Sequence, residues 1–109
     1  MDFKKYQEEA SKFAIYKDTV IYPSLGLASE AGEVCDKIKK IMRDKTSNDF
    51  EISKQDANKI AAELGDVLWY VSALATDLGL KLENIAKQNI SKLQDRKDRD
   101  KLKGSGDNR

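Results

Sequence analysis

Residues 60–78 read IAAELGDVLWYVSALATDL, and this stretch decides the fold. Ile60, Leu64, Val67, Leu68, Val71, Leu74, Ala75 and Leu78 recur at three- and four-residue spacings, the mark of a helix with an apolar stripe. Ser53 is placed to cap its start, with Asp56 three residues on, and Gly79 is placed to stop it. Inside the stretch, Val67-Leu68-Trp69-Tyr70-Val71 is apolar on every face for more than a turn. A helix of that kind is normally buried all round, and a four-helix monomer cannot easily surround one of its own helices. A second copy of the chain is therefore expected to cover the remaining side, in a homodimer or homotetramer.

Three further helical patterns flank this one. The first carries Phe3, Tyr6, Ala10, Phe13 and Ala14 and is expected to end before Tyr22-Pro23, because a residue preceding proline avoids the helical region. The second has Leu27, Ala31, Val34, Ile38 and Ile41 along one stripe, with Ser24 as its expected N-cap. A polar stretch from about Arg43 to Ile52 reads as a loop. The last helix starts near Leu82 and carries Leu82, Ala86, Ile90 and Leu93. The expectation is an all-α, four-helix bundle-like domain over residues 1–103, followed by a Gly/Ser-containing tail, 104–109.

Composition narrows the chemistry. A chain of 109 residues makes one domain with a modest core. Net charge is +1, so no global field draws in nucleic acid or an anionic membrane. A single cysteine, Cys35, rules out an intrachain disulfide, reads as a core residue, and fits a reducing, cytoplasmic setting. There is no apolar run of membrane-spanning length. There is also no histidine, which removes Ser-His and Cys-His nucleophilic sites and the Glu-x-x-His pattern of di-iron bundles. Any bound metal should be a hard cation on oxygen ligands: magnesium, manganese or calcium.

Two acidic pairs stand out, Glu30/Glu33 and Glu63/Asp66. Each lies three residues apart, on adjacent positions of one helix face. Four such pairs occur among the 19 acidic residues, close to chance, so spacing alone carries no weight. Position carries more. Glu30 borders the Leu27/Ala31/Val34 stripe and Glu63 borders the Ile60/Leu64/Val67 stripe. If those stripes meet, the four carboxylates converge, and like charges beside an apolar seam are costly unless neutralised. Gly32 and Gly65 each sit inside a pair, where glycine costs a helix about 0.5–1 kcal/mol relative to alanine; close helix approach around a ligand would explain both. Lys37 and Lys40, beyond Glu33, keep a purely structural salt-bridge reading open.

The segments LGLASEAGEVCDKIKK (25–40) and ELGDVLWYVSALA (63–75) resemble the MazG-like family of all-α nucleoside triphosphate pyrophosphohydrolases, whose signature is two helical acidic pairs. FKKYQEEA (3–10), NISKLQDR (89–96) and GSGDNR (104–109) extend the resemblance along nearly the whole chain. It departs at Ser29, where many members carry a further acid, and in the long gap between the pairs. The resemblance implies magnesium, with manganese as a substitute, held by Glu30, Glu33, Glu63 and Asp66. It implies cleavage of a nucleoside triphosphate between the α- and β-phosphates, in house-cleaning of nucleotide pools, with Glu33 or Glu63 taking the proton from water.

Other candidates stand beside a structural alternative. Lys37 resembles family positions near the phosphates. Asn89, on the Leu82/Ala86/Leu93 stripe, is expected to be buried, binding substrate or serving as a hydrogen-bond node. Lys92 and Arg96 suit phosphate or a basic solvated helix end. Trp69 can stack on a base, although an aromatic on a helix is more often core. The tail either folds over the site or frays. Two other function classes remain in view: a non-catalytic nucleotide or metal sensor, and a helical dimerisation module. Nucleic-acid binding is disfavoured by the balanced charge.

Overall fold

A computed structural model describes all 109 residues, Met1–Arg109. It contains four helices and no strand: α1 (Phe3–Ser11), α2 (Ile21–Asp44), α3 (Lys54–Asp77) and α4 (Leu82–Asp98). The all-α expectation is met. Helices α2 and α3 form a long hairpin closed by the polar loop 45–53. Its antiparallel register follows from the facing residues, since Gly26 meets Tyr70 and Lys37 meets Glu63.

The ends of α3 are set by local chemistry. Ser53 Oγ accepts the Asp56 N–H at 3.1 Å. At the other end Gly79 takes φ +71°, and the Gly79 and Leu80 N–H groups reach back to the Thr76 and Ala75 carbonyls at 3.0 and 2.8 Å. That pattern is a Schellman stop.

The start of α2 differs from the expectation. α1 ends at Ser11, and α2 begins at Ile21, so Tyr22 and Pro23 lie inside its first turn and Ser24 is not the N-cap. Proline is tolerated there because the first N–H groups of a helix have no intrahelical partner. Val20 occupies the cap position at φ +68°, a strained conformation for a β-branched residue. Contacts distant in sequence hold it: the Val20 N–H and the Tyr16 hydroxyl both donate to Asp77 Oδ2, at 2.9 and 3.0 Å. Four aromatic rings lock the same corner. Tyr16 stacks on Tyr22 at 5.0 Å and meets Trp69 edge-on at 6.3 Å, while Tyr70 sits 5.1 Å from Trp69 and 6.1 Å from Tyr22.

α1 lies on α3, with Ala10 buried near Ser72 and Ala73 and with its carbonyl accepting the Trp69 indole N–H at 3.1 Å. Gln7 joins three elements. Its amide nitrogen donates to Thr76 Oγ1 and the Leu80 carbonyl, and its amide oxygen accepts the Leu82 N–H, all between 2.9 and 3.0 Å. Lys81 supplies no side-chain cap to α4, so Gln7 performs that task from α1.

Little of this chain is buried. Ile21, Leu25, Leu64, Leu78 and Ile90 are exposed, and so is Cys35, which is not the core residue expected from the sequence. The radius of gyration is 17.1 Å, against about 13 Å for a compact domain of this length.

Candidate metal centre

α2 and α3 bring three of the four singled-out carboxylates together. Oxygens of Glu30, Glu63 and Asp66 all lie within 4.8 Å of one another. Glu30 and Glu63 are half-buried and Asp66 is exposed, so the group opens to solvent on one side. Glu33, one turn along α2, is exposed and outside this trio. It is still close enough for its charge to act on Glu30.

The trio is electrostatically unbalanced. Burial, then the charges of Asp66, Glu63 and Glu33 and a hydrogen-bond contact with Glu63, push the Glu30 carboxyl above the usual carboxylate range. One cation answers this charge: Lys37 Nζ lies 3.2 Å from Glu63 Oε1, with both side chains mostly covered. A hard divalent ion fits such an all-oxygen donor set, because carboxylates crowded beside an apolar seam gain most from neutralisation.

Gly26 sets how closely the two helices approach. A Cβ at Gly26 would fall within the Tyr70 ring, so only glycine lets α2 come this near α3 one turn before Glu30. Gly32 and Gly65 have nothing within 4 Å of the position a Cβ would take. Within one chain, the expectation that these two glycines mediate close approach is not met. Sequence reading missed Gly26. Its only signal was a glycine between Leu25 and Leu27, one turn before Glu30.

A polar groove of about 580 Å³ lies at the loop end of the α2–α3 hairpin and reaches the trio's neighbour Lys37, but none of the trio lines it. Lys37, Lys40, Lys45 and Lys59 line it together with Asp44 and Asp56. Lys40 is held by Asp36 at 2.7 Å, which leaves Lys37 as the groove lysine bonded to the acidic cluster.

The remaining candidates lie elsewhere. Trp69 spends its N–H on Ala10 and makes perpendicular ring contacts with Tyr16 and Tyr70. Asn89 is exposed, and no side-chain hydrogen bond holds it. The α4 stripe on which it was expected to be buried is covered only near its start, at Leu82. Lys92 and Arg96 face the tail, and both bond Asp107.

The MazG nucleotide pyrophosphohydrolase domain matches residues 23–99, which contain the acidic trio, Glu33 and Lys37. The chain belongs to this family. As a MazG-family protein it also resembles the Gene 37 protein of Mycobacterium phage L5, with 45% identity over 112 residues, covering 95% of this chain and 96% of that protein. No solved structure matches it. None of its helices is long and apolar enough to cross a membrane.

Proposed function

We propose that this MazG-family chain hydrolyses nucleoside triphosphates between the α- and β-phosphates, giving a nucleoside monophosphate and pyrophosphate in the upkeep of nucleotide pools. The observation that carries this reading is the convergence of Glu30, Glu63 and Asp66 within 4.8 Å, beside Lys37, which also lines a groove large enough for a small molecule. In this reading the trio holds magnesium, or manganese in its place. Such an ion would neutralise the carboxylates and supply the positive charge that orients a triphosphate and acidifies water. Glu33, near the trio but outside it, is the carboxylate available to take the proton from the attacking water. Lys37 exchanges Glu63 for a phosphate oxygen; Lys92 and Arg96 lie apart from the trio within one chain, against Asp107, and are proposed as a separate cationic contact for phosphate.

The working unit is more than one chain. The accessible surface is 8384 Å², whereas a folded monomer of this mass exposes about 6,100 Å². The excess of about 2,300 Å² per chain exceeds the ~800 Å² per partner that a stable interface needs. A depression on α4, where Ala86 and Ile90 lie among polar and charged side chains, is part of that uncovered surface.

Glu63→Gln tests the site. The wild-type chain should melt higher with magnesium and triphosphate and should release pyrophosphate. The variant should fold, lose the metal-dependent shift and lose turnover. Full activity in Glu63→Gln would remove the metal-ligand assignment. A structural salt bridge to Lys37 would instead show as a lower melting temperature, with no metal effect in either protein.

A further inference from the structure

The tail is folded, and it is folded onto cations. Gly104 and Gly106 take φ +124° and +82°, conformations closed to most side chains, and they turn the chain back on α4. Asp107 then meets two basic side chains one helical turn apart. Lys92 Nζ lies 2.7 Å from Asp107 Oδ1, and Arg96 Nη2 donates to the same oxygen at 2.9 Å and to the Asp107 carbonyl at 2.7 Å. Arg99 donates to the Arg109 carbonyl, and Arg109 to the Gly106 carbonyl, each at 2.6 Å.

Burial is lopsided in this contact. Arg96 is only 5% exposed, and its Nε has no hydrogen-bond partner, whereas the Asp107 side chain is 75% exposed. A covered guanidinium is costly without an anion. The anion it has is itself open to solvent on the outer side of the contact, where a competing anion can reach it. Two cations directed at one oxygen also suit a non-bridging phosphate oxygen.

We propose that Lys92 and Arg96 form one anion site with two alternative occupants: the chain's own Asp107 and a phosphate group of a polyphosphate ligand. The tail is then a built-in competitor, and a polyphosphate must displace Asp107 to gain both cations. The inference rests on the reading of Lys92 and Arg96 as phosphate contacts, but not on catalysis.

Inorganic tripolyphosphate, with the metal removed by chelator, tests it on the full-length protein. Asp107→Asn keeps the size of the side chain and removes its charge. It should bind tripolyphosphate about two- to fivefold more tightly by calorimetry, the scale of an exposed ion pair. In the wild-type protein, tripolyphosphate should speed tryptic cleavage after Lys103, because the tail is released. Unchanged or weaker binding by Asp107→Asn would overturn the proposal, as would slower cleavage, which would mean that the tail closes over the ligand. Binding is read without turnover, so a protein that binds and releases as proposed but never hydrolyses would leave this inference standing while the hydrolase reading fails.

Discussion

Gly26→Ala tests the geometry that assembles the carboxylates. The added methyl would enter the Tyr70 ring, and that ring cannot swing away freely because Tyr22 and Trp69 flank it. Overpacking of this kind costs about 1–3 kcal/mol. Alanine returns about 1 kcal/mol through its better helix propensity, so the net loss is up to about 2 kcal/mol. For a domain near 100 residues that lowers the melting temperature by up to about 9 °C. A thermal melt followed by circular dichroism reads it, and a double-mutant cycle with Tyr70→Ala isolates the cause. In the Tyr70→Ala background the methyl has room, so Gly26→Ala should become neutral or stabilising by up to about 1 kcal/mol. The same effect of Gly26→Ala in both backgrounds would refute the argument. Because Glu30 lies one turn beyond Gly26, the variant should also bind divalent metal more weakly.

Gln7→Ala removes the three bonds that tie α1 to the α3–α4 turn and leaves the Leu82 N–H without its cap; denaturant titration should show a loss of about 1–3 kcal/mol. The Tyr16 phenol is pushed up to about 12 by burial and by its bond to Asp77. The unfolded phenol ionises near 10, so Tyr16 contributes stability below that pH, and the contribution should drain away between about 10 and 12; ultraviolet titration of wild type against Tyr16→Phe reads it. Lys37→Met should lower kcat/KM by about tenfold or more through loss of a phosphate contact, and unchanged kinetics would confine Lys37 to its ion pair with Glu63.

What the sequence disclosed follows from how local each determinant is. Ser53 and Gly79 bound α3 through bonds to residues three positions away, so the limits of α3 were legible from the chain. The acidic trio was legible because a helix repeats every three to four residues, and two apolar stripes dictate which carboxylates share a seam. The start of α2 was not legible. Val20 holds its positive φ only because Asp77, distant in sequence, accepts its N–H. Ser24 looked like a cap because its tertiary surroundings were hidden. Gly26 escaped notice because its reason is the Tyr70 ring on another helix, whereas Gly32 and Gly65 drew attention by lying between acids. Asn89 was expected inside because α4 was assumed to be covered along its length. The partnership of Arg96 with Asp107 depends on two glycine turns that no periodicity reveals.

The identity of the products tests the central claim most directly. Purified protein, magnesium and a panel of nucleoside triphosphates, followed by phosphorus-31 NMR, should give nucleoside monophosphate and pyrophosphate in equal amounts, and Glu63→Gln should give neither. Nucleoside diphosphate with orthophosphate, or no turnover of any triphosphate with magnesium or manganese, would contradict it.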